Sequence, residues 1–250
     1  MEPYLIRGQY KVVQVLYAEP DYAALGAVDI QDREKPQVLL NVYEGSCLRR
    51  FIRAYDKIKK CPALKRVFIE KESLVAVFPF EQGQDIDSVF QRGVKLDWKF
   101  RLSAAGDLME QALRMADYPP EVVCPMLLSE QVRVFPQERR LVLRWLIRPM
   151  EETLNEREVA MLLDDQLRKL LLRRWDSPIS ERKFLRELGS GRAGTVLEMY
   201  ACWKKACPEI RAEYEKIASM LAVGRFLWLL RVNFKDALQR MKEEWRKGTV

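Results

Sequence analysis

The sequence predicts an α+β fold: a small antiparallel five-stranded lobe with one helix, followed by a mainly helical lobe. Two patterns carry that expectation. Up to about Phe90 apolar residues alternate, or run in short β-branched stretches broken by turn residues; from Leu96 onward they recur at spacings of three and four. Composition adds a third observation. The 250 residues are 48% hydrophobic and 32% charged, enough for one good core or two smaller ones sharing an interface, and too apolar for a disordered chain.

Residues 10–16 (YKVVQVL) alternate and are rich in β-branched side chains, and 24–30 and 37–43 follow as two more strands. The polar segment 32–36, closed by Pro36, has the composition of a hairpin loop. Ser46 then opens a helix with Leu48, Phe51, Ile52, Tyr55 and Ile58 at helical spacing, and Cys61-Pro62 ends it. Residues 66–70 and 73–80 are two further strands joined by the polar pair Lys71-Glu72, and Gly83 closes the block. The order is β-β-β-α-β-β.

Beyond it, 98–116 reads as a helix ended by Pro119-Pro120, and 131–135 and 140–147 read as short strands around the turn 136–139. Asn155 with Glu158 three residues later is a capping pair for a helix running to about Trp175. Ser177-Pro178 restarts the chain, and a Gly-rich stretch at 189–194 precedes a last helical region. There Leu227, Leu230, Phe234, Leu238, Met241 and Trp245 form a stripe expected to pack on the chain's own core, with Arg231, Lys235, Arg240 and Lys247 on the far side. A partner helix or an anionic membrane are its other uses. The divisions expected are 1–83, a small lobe; 84–150, a reduced large-lobe core; and 151–250, a helical region packed on it.

Several functions are excluded at the level of composition. The chain has no histidine, so Ser-His-Asp and Cys-His nucleophile pairs, His-ligated metals and histidine pH switches are all impossible. Five scattered cysteines without a C-x-x-C pair read as reduced thiols, and no metal site is expected. Forty-three Lys and Arg against thirty-six Asp and Glu give a net charge of +7, which favours acidic partners. The charges are mixed in sign along the chain and no surface aromatics interleave them, so nucleic acid is not the expected partner. The N-terminus lacks the apolar segment of a signal peptide, and the longest apolar run, 217–230, carries Arg225 and is too short to span a bilayer. The expectation is a cytoplasmic protein without a transmembrane segment.

The β-β-β-α-β-β order followed by helices resembles the protein kinase fold over the first 150 residues. Residues 78–86 look like its fifth strand and hinge. Residues 121–134 line up with the catalytic loop, which in active kinases reads I-I-H-R-D-L-K-P-E-N-I-L-V, and 140–147 occupy the strand leading into the D-F-G motif. The resemblance implies which residues should carry phosphoryl transfer, and this chain lacks them. The third-strand lysine falls at Asn41. The catalytic aspartate falls at Met126, the metal-binding asparagine at Gln131, and the D-F-G aspartate at Arg144. The region of the phosphate-covering loop, 16–26, has one glycine, a proline and two acids. The helix that should carry a pairing glutamate begins with Arg49, Arg50 and Arg53. On these residues the chain resembles a bacterial pseudokinase, with no catalytic residues and no cofactor expected.

Two surface features remain. Arg49, Arg50, Arg53, Lys57 and Lys60 form the densest positive cluster, either a solvated helix face or a docking surface for an acidic partner. Gly189, Gly191 and Gly194 satisfy G-x-G-x-x-G, but the charged, helix-like 181–188 before them lacks the buried strand of a dinucleotide site. A turn between helices is the preferred reading, with an anion at the next helix N-terminus as the other. The function expected is a catalytically inactive, kinase-like scaffold or regulatory module that binds protein. The alternative is an atypical nucleotide-binding or phosphate-transferring enzyme with relocated acids, for which Asp85, Asp87 and Glu130 are candidates. Whether nucleotide still binds is left open by the residues.

Overall fold

Alternating and helical patterns segregate in space as they do in sequence: a curled antiparallel sheet with one helix comes first and a helical body follows. The computed structural model describes residues 4–91, 97–150, 154–171, 177–189 and 193–247. The first lobe comprises β1 (Leu5–Ile6), β2 (Tyr10–Glu19), β3 (Tyr22–Asp29), β4 (Gln37–Tyr43), α1 (Gly45–Lys57), β5 (Arg66–Glu70) and β6 (Ser73–Pro79). Its strands lie in the order β1-β2-β3-β4-β6-β5, each pair antiparallel. The sheet therefore has six strands rather than the expected five. Arg7 and Gly8 both adopt positive φ (53° and 60°), which folds Leu5 and Ile6 back onto Lys11 and Tyr10.

Strand alternation divides this sheet between two apolar layers. Leu25, Val38, Leu40, Val75 and Val77 join the Tyr10 and Phe68 rings on one face. Ala24, Leu39, Tyr43, Leu74, Ala76 and Phe78 point the other way, into the main core shared with α1 and the second lobe. That double burial is why β4 reads as a nearly continuous apolar run. Helix α1 buries Phe51, Ala54 and Tyr55, and its basic face stays in solvent.

The second lobe holds a three-stranded sheet of β7 (Gln84–Asp85), β8 (Val132–Phe135) and β9 (Arg140–Leu143), in that order. Around it lie α2 (Ile86–Val89), α3 (Trp98–Arg114), α4 (Pro120–Met126), a 3-10 turn at Ser129–Gln131, α5 (Glu156–Leu170), α6 (Ile179–Gly189), α7 (Val196–Ser219) and α8 (Ala222–Lys247). Helix α4 is an element the sequence reading missed. Pro119-Pro120 ends one helix and starts another, because proline at the first helical position has no N–H to leave unpaired. The capping box of Asn155 and Glu158 is present at the start of α5. That helix ends at Leu170 and the expected terminus at Trp175 lies outside the described residues. All five cysteines are free thiols.

The stripe on the last helix corrects an expectation. Leu227, Leu230, Phe234, Leu238, Met241 and Trp245 are between 41% and 82% exposed, so they do not form core. The opposite side of α8 does the packing, through buried Leu229 and Val232, and Arg182 of α6 donates to Asn233 Oδ1 at 2.8 Å. Among the described residues no helix is long and apolar enough to cross a membrane.

Candidate functional site at the junction of the lobes

Strand β4 is the third long strand of the small lobe, and its Asn41 points down into the seam between lobes, fully buried. The amide is used on both sides. Oδ1 accepts from the Tyr22 hydroxyl at 2.8 Å and from the Ile147 backbone N–H at 2.9 Å, while Nδ2 donates to the Trp145 carbonyl at 2.8 Å. Tyr43, two residues on and therefore on the same face, donates to the Ile147 carbonyl at 2.7 Å. The segment after β9 is thus stitched to β4 by three hydrogen bonds. Trp145 adds an apolar clamp, its ring stacked on Phe78 at 5.1 Å between centroids and 5° between planes.

The other positions that align with kinase motifs lie just beneath. Arg144 is 8% exposed; its Nε donates to Gln131 Oε1 at 2.9 Å and its Nη2 to the Glu130 carbonyl at 3.4 Å. Backbone reinforces the pair, since the Arg144 N–H donates to the Gln131 carbonyl at 2.9 Å. Burial, aided by nearby Arg133, lowers the Arg144 guanidinium to about 10. Gln131 is buried as well. Met126, at the end of α4, is fully buried and lines a 220 Å³ cavity with Tyr118, Leu143 and Trp145. Asn41, Gln131 and Arg144 therefore converge on one seam, and Met126 sits apart as core.

The loop between β2 and β3 is reduced to Pro20-Asp21. It does not arch over the seam. Asp21 accepts from Ser46 N at 3.2 Å and Ser46 Oγ at 2.8 Å, so the turn is fastened to the start of α1 and caps it in place of Glu44. At the rim, Arg148 pairs with Glu130 at 3.5 Å and lies over the Tyr17 ring at 5.7 Å. The three candidate acids all have structural partners. Asp85 caps α2, accepting from Ser88 N at 2.8 Å, which holds its carboxyl below the ordinary value. Asp87 pairs with Lys169 at 2.6 Å, and Glu130 pairs with Arg148.

The described ends of the glycine-rich stretch, Gly189 and Gly194, are helix punctuation. Gly189 ends α6, and Gly194 N and Thr195 N both donate to the Glu198 carboxylate at 2.8 and 3.2 Å. Together with Thr195 this is the capping box of α7, so the chain supplies its own anion at that N-terminus. Gly191 lies outside the described residues. Arg49, Arg50, Arg53, Lys57 and Lys60 are all exposed on or just beyond α1, with Arg50 donating to the Met150 carbonyl at 3.0 Å.

Sequence reasoning found Asn41, Gln131 and Arg144 but missed Tyr22, Tyr43, Asp21 and Trp145, which hold the seam. Tyr43 carried a usable signal, standing at i+2 from Asn41 on a strand buried on both faces.

No family model matches the chain, and none of the curated proteins matches it. Solved structures do. The crystal structure of Rad53 1-466 in complex with AMP-PNP, a protein kinase, matches with a TM-score of 0.58 at 12% identity. The fold is kinase-like. The match covers 78% of this chain and 65% of that one, and at such low identity it speaks for architecture alone.

Proposed function

We propose that this chain is a pseudokinase: a kinase-shaped module that does not transfer phosphate and acts by binding other proteins. The observation that carries the reading is Asn41. Where phosphoryl transfer needs a lysine free to reach phosphate, the chain has a buried amide bonded to Tyr22, Trp145 and Ile147. Where a metal ligand is needed it has a cation, Arg144, already engaged by Gln131. These residues do not fit a magnesium nucleotide: a guanidinium would repel the metal, and the amide has no acceptor site to spare. Relocated chemistry is not favoured either, because Asp85, Asp87 and Glu130 serve as a helix cap and as ion-pair partners.

A module of this kind acts through its surface. The exposed basic face of α1 suits an acidic protein segment, and the Arg50–Met150 bond ties that face to the second lobe.

The test is thermal unfolding with millimolar ATP, once with magnesium and once with EDTA. A ligand at about 100 times its Kd adds roughly 2.7 kcal/mol, which in a chain this size raises Tm by roughly 5–10 °C. The expected result is no shift in either buffer. A magnesium-dependent rise would overturn the proposal.

A further inference from the structure

Helix α8 is amphipathic in the direction opposite to an ordinary surface helix. Viewed down its axis at about 100° per residue, Leu227, Leu230, Phe234, Leu238 and Met241 fall within an arc of about 80°. Buried Leu229 and Val232, which hold the helix to the body, lie almost diametrically across. The apolar face is therefore turned outward, with Phe234 67% and Met241 61% exposed. Its length is about 39 Å at 1.5 Å per residue over 26 residues.

We infer that this face lies on an anionic bilayer surface, with α8 in the plane of the headgroups. Three observations choose that occupant. Width comes first. A paired helix would cover a narrow seam and want charges beside it. Here Trp245, 82% exposed, falls within the stripe, and Phe226, 54% exposed, extends one edge of it, which spreads the apolar arc to about 120°. The second is charge. Exposed Arg231 and Lys235, expected on the far side, instead share one flank of the stripe, and the chain carries a net charge of +7. A second copy laid antiparallel would set that flank against its own image, so the arrangement that repels a copy attracts anionic headgroups. The third is residue type. Leucines with Phe and Trp on the apolar side and Arg and Lys beside them are the chemistry of helices that lie in the interface rather than cross it.

The inference does not rest on the state of the seam between lobes, because the described packing of α8 runs through Leu229, Val232 and the Arg182–Asn233 bond. The test uses the full chain and sucrose-loaded vesicles of phosphatidylcholine, with or without phosphatidylglycerol, in a sedimentation assay. Binding is expected to the mixed vesicles, to weaken at high salt, and to be much weaker on pure phosphatidylcholine. Phe234→Asp should cut the vesicle partition coefficient by about tenfold or more. Arg231→Ser with Lys235→Ser should remove the preference for the anionic lipid. Phe234, Arg231 and Lys235 are exposed, so the variants keep the fold, which circular dichroism verifies alongside. Failure to sediment with mixed vesicles at low salt would overturn the inference. So would equal binding by folded Phe234→Asp, or dimers in analytical ultracentrifugation that Phe234→Asp dissolves.

Discussion

Replacing Asn41 with alanine removes a donor and a twice-used acceptor in one step. It strands the Ile147 N–H, the Trp145 carbonyl and the Tyr22 hydroxyl in a buried seam. With each stranded group costing about 1–3 kcal/mol, the variant should lose about 3 kcal/mol or more in chemical denaturation. Tyr22→Phe, which removes one of the three bonds, should lose about 1 kcal/mol. Asn41→Lys restores the residue type of active kinases but puts an ammonium where there is no carboxylate, so it should destabilise as much as alanine and gain no affinity for ATP. Affinity gained by that variant would contradict the filled-seam account. The position was legible in the sequence because it aligns with the third-strand lysine of kinases. Its partners were not, since they are a carbonyl and an N–H at separations of 104 and 106 residues, and backbone groups leave no signature in side-chain pattern.

Among the elements, the β5–β6 hairpin carries avoidable strain. Its two-residue turn is Lys71-Glu72, with φ of 47° and 67°, both in the left-handed region that asparagine and glycine accept and long side chains resist. Lys71→Asn with Glu72→Gly should stabilise the chain by about 1–2 kcal/mol, read as a higher Tm. The ends of this hairpin were placed from sequence almost to the residue, because apolar runs and a polar pair punctuate it. Helix α4 escaped notice for the opposite reason: its prolines read as a stop, and seven residues are too few for periodicity to speak. The α8 stripe shows a different failure. Periodicity found the apolar face correctly, but a pattern cannot tell which side of a helix meets the body, and here Leu229 and Val232 outcompeted the longer stripe.

For the molecule as a whole, the missing histidine and the buried phenols set the response to pH. Between about pH 6 and 8 stability should be nearly flat, since no histidine titrates there. Burial raises Tyr22 and Tyr43 well above 10, raises Tyr55 and Tyr214 likewise, and pushes Tyr118 to about 12. In the unfolded chain these phenols ionise near pH 10 while the folded chain keeps its protons, so their contribution is complete below about pH 10 and is lost as pH rises beyond it. Arg144 acts in the other sense, because its folded value of about 10 lies below the unfolded one and its release above pH 10 favours the fold. Arg133, also lowered by burial, acts with Arg144, and two arginines against five tyrosines leave a net fall. Tyr43→Phe should flatten the decline in a series of urea melts above pH 10, and an unchanged slope would show that the phenols do not govern it. The lobe architecture itself was readable in full outline, since it depends on periodicity and on breaks at proline and glycine. The closure of the seam was not, because it depends on which distant backbone the chain brings home.

That closure has a consequence in time. The bonds from Asn41 and Tyr43 reach residues 104 to 106 positions later, and Arg50 reaches one 100 positions later. During synthesis the first lobe can form its sheet and its α1 helix, yet Asn41 has only the Tyr22 hydroxyl as partner until Trp145 and Ile147 have left the ribosome. The small lobe therefore emerges unfinished and is completed from behind, by a strand exit that belongs to the other half. In the mature chain the same dependence should make the two halves open as one: the amide of Ile147 and those of β4 should exchange hydrogen with a common opening free energy. Separate exchange rates would mean that each lobe stands alone.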